Sequence, residues 1–302
     1  MNHGPLIFLG LLAAFVASWW GLVFSPQVQV GSQQPVTMES GAYPAQRPGL
    51  AAQGREVYVA NGCVQCHGQQ VHQDGYVFDV VVTSGGTNPA VVATLLQEIV
   101  PALKGTEVVT RASEKSPQMI LKSVARKTAA DTQAKLAEAG AGVQAVFIPL
   151  GPDMDRQWGP RRTVGADYLY DAPVQVGHSR LGPDLSNIGA RMTATTDANW
   201  QLLHLYDPRT VVKGSMMPAY RYLFEVRKAG KHPAPEALSV PEPYAPKAGE
   251  EVVPKPEALQ LVAYLQSLRF GPTLLEAPRT DLPAVPAEAG TNAPVGASTP
   301  SP

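Results

Sequence analysis

A chain of 302 residues is long enough for about two domains, since one domain ordinarily takes roughly 100–200 residues. Its 24 basic and 25 acidic side chains leave a formal charge of -1, so no global positive field is present to hold nucleic acid. With only 2 cysteines, a multi-disulfide scaffold and a four-thiolate zinc or iron–sulfur site are excluded, and 27 Gly with 29 Pro point to a folded protein with loose connections.

Residues 5–24 carry no charge. At about 1.5 Å per residue such a run spans roughly 30 Å as a helix, the thickness of a bilayer core, so 5–25 is expected to be a single transmembrane anchor. Trp19 and Trp20 sit near its end, where amphipathic rings favour the headgroup level, and Pro26 is expected to stop the helix. A cleaved signal peptide is the competing reading. Against it, the run exceeds the roughly 7–15 apolar residues of a leader, no Lys or Arg precedes it, and no small-x-small cleavage site follows. Charge bias cannot orient the anchor, because the first arginine is Arg47. Residues 26–48 read as a linker.

Both cysteines fall in Cys63-Val64-Gln65-Cys66-His67. This is the pattern for covalent attachment of a c-type haem: two thiols on one turn add to the porphyrin vinyl groups, and the adjacent imidazole falls under the iron. The alternatives are a redox Cys-x-x-Cys, which lacks a thioredoxin-like context, and half a zinc site, which lacks further cysteine. One covalently bound haem c is therefore expected. Its attachment belongs outside the cytoplasm, which places the soluble part in the periplasm and the N-terminus inside. For the sixth ligand, Met217 directly before Pro218 is favoured over Met216, with His72, His178 and His204 as alternatives; a thioether ligand raises the reduction potential. Leu181-Gly182-Pro183-Asp184-Leu185 reads as a rigid turn whose Pro183 carbonyl would accept the Nδ1 hydrogen of His67 and fix the ring. Helices are expected at 54–62, at 199–206 with Trp200, Leu202 and Leu203 inward, and at 256–268 with Leu259, Val262, Ala263 and Leu265 at helical spacing.

Several stretches carry a resemblance: Ser18-Trp19-Trp20-Gly21-Leu22-Val23, residues 54–63, Gln69-Gln70-Val71, Arg156-Gln157-Trp158-Gly159-Pro160-Arg161-Arg162-Thr163, Asp167-Tyr168-Leu169-Tyr170-Asp171, and residues 213–220 with Met217-Pro218. Over 5–72 and 155–270 the chain resembles the membrane-anchored mono-haem cytochrome c subunit, subunit II, of C-family (cbb3-type) haem-copper oxidases. The resemblance implies a mainly α protein: one N-terminal transmembrane helix and a class I cytochrome c domain, with Cys63, Cys66, His67 and Met217 as attachment and ligand positions. It implies electron transfer from haem c to haem b of a catalytic haem-copper subunit, where oxygen is reduced to water and protons are pumped. Expected partners are that subunit, the other cytochrome c subunits of the oxidase, a soluble donor cytochrome and a bacterial inner membrane. Arg161 and Arg162 are candidates for pairing with haem propionates or with the catalytic subunit, because guanidinium forks match carboxylates. The alternatives are the cytochrome c subunit of a nitric oxide reductase, against which the 158–163 block argues, and a periplasmic assembly or docking module.

Residues 73–154 separate the two halves of the expected haem domain, 49–72 and 155–270. They read as a small α+β insert in the order β-α-α-β-α-β: a strand at 76–82, a helix opened by Asn88 and Pro89 with Val92, Leu95, Leu96, Ile99 and Leu103 on one face, a short helix at 106–112, a strand at 119–124, a helix at 129–139 and a strand at 143–148. In Phe78-Asp79-Val80-Val81-Val82 and in Ala134-Lys135-Leu136-Ala137-Glu138-Ala139-Gly140-Ala141, the segment 74–152 is similar to the C-terminal domain of the bacterial ribosomal stalk protein. Residues 90–103 offer no Lys or Arg, so the factor binding of that family does not carry over. Residues 233–256 read as a Pro-rich extended connection and 271–302 as a disordered tail.

Overall fold

The computed structural model describes residues 3–39, 41–114, 116–191 and 196–280. The chain separates into two compact units, one formed by Met1–Gln73 with Gly151–Pro278 and the other built on Asp74–Leu150.

The first unit opens with one continuous helix: α1 (Gly4–Trp19), a π-helical turn at Trp20–Phe24, and α2 (Ser25–Gly31). It is long and apolar enough to cross a membrane, and its large apolar side chains are exposed. Pro26 does not stop it. The Ser25 N–H bonds back to Trp20 O, five residues away, and this wider turn takes up the missing N–H and the bulk of the proline ring without ending the helix. A short hairpin follows, β1 (Val36–Met38) antiparallel to β2 (Gly41–Tyr43), and then α3 (Leu50–Ala60), which leads into the cysteine motif.

The second unit runs β3 (Gly75–Ser84), α4 (Pro89–Ile99), α5 (Gly105–Ser113), β4 (Gln118–Val124), α6 (Arg126–Glu138) and β5 (Gly142–Leu150). The strands form an antiparallel sheet in the order β4-β3-β5. Val80, Val82 and Ile120 from the sheet meet Val92, Leu96, Val108, Val109, Ala112, Ala129 and Leu136 from the helices in one buried cluster. That is a separate core, which period-2 and period-3.6 apolar patterns in adjoining segments produce when they fold on one another.

The chain returns to the first unit through α7 (Pro152–Asp155), where buried Asp153 accepts the His72 N–H at 2.7 Å, so departure and return points are bonded together. There follow α8 (Ala198–Tyr206), β6 (Phe224–Lys228), β7 (Glu250–Pro254) and α9 (Pro256–Ser267). β6 pairs with β7 from Phe224↔Pro254 to Lys228↔Glu250, so the end of the expected extended connection is a strand with Val252 fully buried. The inward faces of two helices are rotated from expectation. α8 buries Gln201, Leu202, Leu205 and Tyr206, leaving Trp200 and Leu203 half-buried; α9 buries Ala258, Leu261, Val262 and Tyr264, leaving Leu259 exposed. Tyr264 sets the α9 face: its ring lies 5.3 Å from that of Tyr58, and its hydroxyl accepts from the Gln69 amide at 3.0 Å. The expected loose tail begins later than 271, because Leu274 and Ala277 are buried against Tyr43; its remainder, 281–302, lies outside the described residues.

Gly54 is where α3 and α9 approach most closely. A Cβ there would stand 1.8 Å from the Gln260 carbonyl oxygen and 2.8 Å from Tyr264 Cβ. Neither can swing aside, so Gly54→Ala is expected to destabilise the first unit by about 3 kcal/mol, the upper part of the overpacking range. Denaturant unfolding checks this: the midpoint should fall at constant m-value, and an unchanged midpoint would mean that the helices separate freely.

Candidate functional site

The cysteine motif forms a 3-10 turn, Cys63–Gln65, entered through left-handed Gly62 at φ 65°. Hydrogen bonds from Cys66 N–H and His67 N–H to Cys63 O, at 3.2 and 3.0 Å, curl the motif into one turn with both thiols free. Burial pushes the Cys63 thiol up to about 11, so it is protonated at neutral pH, the reverse of the low-pKa thiolate of a redox pair. No group of three or more His, Cys, Asp and Glu that could hold a metal ion is present among the described residues, and nothing completes a half zinc site.

His67 Nδ1 lies 2.8 Å from Pro183 O. Donation to that carbonyl fixes the tautomer and leaves Nε2 with a free lone pair. Burial holds the imidazole below its ordinary pKa, while the Pro183 bond works to raise it. The turn is held from both sides: Gly182 N–H bonds to Cys66 O at 2.9 Å, Leu185 N–H to Gly68 O at 2.8 Å, and Asp184 Oδ2 accepts from Gln70 N–H at 2.7 Å. Gly182 lies against the imidazole, since a Cβ on it would stand 2.3 Å from His67 Cε1.

Met217 packs, with Cys63, Val64 and Tyr220, on the core cluster of α3, α8 and α9, whereas Met216 is 82% exposed. The Met217 loop is tied at its end: Tyr220 N–H bonds to Leu205 O at 2.9 Å, and Arg221 reaches Asp207 at 2.7 Å. Although burial opposes it, hydrogen bonds from Arg221 and Arg209 hold the Asp207 carboxyl below the usual carboxylate range. A depressed folded-state pKa stabilises above the unfolded value near 3.9, and that contribution is lost as pH falls through the lower folded value. Asp207→Asn is therefore expected to destabilise the protein at pH 7. Its deficit should shrink as pH falls below about 4, which acid titrations of both proteins would record.

Among the other histidines, His72 and His178 are exposed. His204 stands apart: its ring stacks on Trp200 at 4.8 Å, its Nδ1 is buried without a partner, and burial, then the proximity of His67, lower its pKa to about 4. It is neutral at physiological pH.

Arg161 does not fit the haem-carboxylate role read from sequence. It is fully buried, and its donors go to Asp167 Oδ2 and Oδ1 at 3.0 and 2.7 Å, Pro272 O at 2.5 Å, Arg162 O at 2.8 Å and the Tyr43 hydroxyl at 3.4 Å. No donor is left for a propionate. Arg162 is exposed and bonds Glu276 O at 2.6 Å. The guanidinium that sequence reasoning missed is Arg191. It bonds Asp184 O, lies near enough to His67 to lower its basicity, and keeps a buried Nε with no partner. An orphaned buried donor beside the histidine suits a carboxylate-bearing group, so the residues present fit haem c. The Gly182-Pro183 turn was legible in the sequence, but Arg191 carried no periodic signal or motif by which it would be found.

A family model described as cytochrome C oxidase, mono-heme subunit/FixO, matches residues 90–244, half of the chain. The match begins in α4 and ends before α9, so Met217 lies inside it and the cysteine motif outside. A search of curated proteins found no match.

Proposed function

Because the chain belongs to the family of mono-haem subunits of cytochrome c oxidase, we propose that it carries one covalent haem c and delivers electrons to haem b of a cbb3-type catalytic subunit, which reduces oxygen to water and pumps protons. Cys63 and Cys66 would hold the haem through thioethers, and His67 Nε2 and Met217 would ligate its iron. Bound haem supplies a one-electron carrier. The chain's own part is to orient and shield it. Pro183 O accepts the Nδ1 hydrogen and fixes the imidazole, Gly182 leaves room for the ring, Arg191 Nε stands ready for a carboxylate, and Leu202, Leu205 and Tyr206 belong to the apolar core behind it. The observation that carries the reading is the 2.8 Å contact from His67 Nδ1 to Pro183 O, made by the histidine that adjoins both thiols.

Under this reading Gly4–Gly31 is a single-pass anchor in a bacterial cell membrane, amino terminus in the cytoplasm and haem domain in the periplasm. Residues 73–154 are an insertion within a haem domain of 49–72 and 155–270. The bonded pair His72 and Asp153 at its two ends supports that partition. Purification from membranes in mild detergent, with identification of companions and reduced-minus-oxidised spectra, tests the function: haem c should appear with a haem-b, copper-bearing partner. A preparation lacking that partner would remove the oxidase assignment.

A further inference from the structure

The segment between the apolar helix and the haem domain is bonded near its end, through Tyr43 and Arg47, to one turn of the haem domain. Gly165–Asp171 forms that turn, starting in a 3-10 helix, Gly165–Tyr168. Gln33 lies near the start of that turn, its Oε1 3.8 Å from where a Cβ on Gly165 would stand. The Tyr43 hydroxyl donates to buried Asp167 at 2.6 Å, and Arg47 pairs with Asp171 at 2.5 Å, both side chains of that pair being largely buried. Asp171 also stands 4.0 Å from Arg55 of α3, the helix that runs into the cysteine motif. The chain beyond α9 closes the arrangement: Arg161 holds Pro272 O, Arg162 holds Glu276 O, and Leu274 and Ala277 bury against Tyr43.

The energetics favour a fixed attachment. A fully buried Arg161–Asp167 pair adds little net stability compared with apolar packing of the same volume. It fixes direction instead, because a guanidinium with all its donors engaged holds Tyr43, Asp167 and the 272 backbone in one arrangement.

We propose that Gly165–Asp171, with Arg161, is a clasp that locks the 33–47 segment and the 272–277 strap to the haem domain, so that the haem cannot swing on its anchor and keeps one distance from its electron acceptor in the membrane. The distance role rests on the electron-transfer reading above; the clasp itself does not. Tyr43, Arg47, Arg161, Asp167 and Asp171 are positioning residues that need not touch the haem.

The test uses the full-length protein in its detergent-solubilised complex, comparing the unsubstituted chain with Tyr43→Phe/Asp171→Asn and, separately, Arg161→Met. In the double variant, amide exchange is expected to rise about tenfold across 33–47 and 272–277 together, as two lost buried hydrogen bonds would produce, with α3, α8 and α9 unchanged. The haem c spectrum and midpoint potential should stay as they were, while single-turnover electron transfer to the membrane partner slows by about tenfold or more and becomes multiphasic. Unchanged exchange, or exchange confined to one of the two segments, overturns the clasp. Raised exchange with unchanged transfer overturns its positioning role. If Arg161→Met fails to fold, the double variant decides alone. Failure of the electron-transfer reading is seen separately, as absent haem c or absent transfer in the unsubstituted protein, and the exchange measurement still tests the clasp.

Discussion

Met217→Leu is expected to leave the haem covalently attached and to lower its reduction potential sharply. Under the proposed haem c reading, attachment would depend on Cys63 and Cys66, on a turn that Met217 does not build. With Met217 as a ligand of bound haem, its thioether would favour the reduced iron, and since iron ligands as a class span about 0.8 V, a drop on the order of 0.2 V is the expected scale. Electron flow to an acceptor of fixed potential then changes, and turnover of the complex should move by at least about tenfold. Met216→Leu is the control. It differs by one position, yet Met216 projects into solvent while Met217 packs on the same core cluster as Cys63 and Val64, so its potential should not move. Redox titration of both variants in the purified complex decides. An unmoved potential in Met217→Leu would pass the sixth position to His204, the other histidine held close to His67, and His204→Phe would then show the drop.

What the sequence made legible was local. Cys63 to His67 is five consecutive residues, and the turn they form is specified within themselves and by Gly62. The Pro183 contact was legible because Gly182-Pro183-Asp184 can adopt few conformations, and a carbonyl presented by so stiff a turn needs only the right partner. The strands and helices of 74–150 were legible for a similar reason: each period is carried by a contiguous run such as Val80 to Val82 or Val92 to Leu96, and the partners lie within the same unit.

The misses share a different cause, which is that long-range partners decided them. Arg161 in a polar stretch reads as a surface cation; its burial follows only from Tyr43, Asp167 and Pro272, which converge from both ends of the unit. β7 lies in a Pro-rich stretch with no alternation to announce it, and its strand character comes from pairing with β6 more than twenty positions earlier. On α8 and α9 the helical spacing was right and the inward direction right only in part, with Leu202 and Val262 buried as expected and Leu259 exposed, because apolar residues occur on more than one face. The Tyr58–Tyr264 contact and the Gln69 bond select which face turns inward on α9. Pro26 belongs to the same class in reverse: the local rule says stop, and a π turn that the rule does not contain lets the helix continue.

Gly182→Ala should be the most damaging single-methyl change at the site. An added Cβ would lie 2.3 Å from Cε1, 2.6 Å from Nδ1 and 2.8 Å from Nε2 of His67, over the face of the ring. Neither side can yield cheaply. The glycine backbone is fixed by its N–H bond to Cys66 O and by Pro183 after it, and the His67 ring is held by its Nδ1 bond to Pro183 O. The imidazole must therefore tip, and tipping breaks the 2.8 Å bond from Nδ1 to Pro183 O that sets its tautomer and its basicity. The thioether positions are untouched, so haem c should remain covalently bound and the far-ultraviolet spectrum near normal. Low-spin ligation should weaken, the proximal site should become accessible to added imidazole, and turnover of the complex should fall by about 10–100-fold, the range seen when a ligand's supporting hydrogen bond is lost. Spectra with and without added imidazole separate this from general unfolding, because rescue by an external ligand requires an intact pocket. Unperturbed low-spin spectra in the variant would mean that the ring does not bear on Gly182 when haem is present, and the orienting role of the Gly182-Pro183 turn would fall with it.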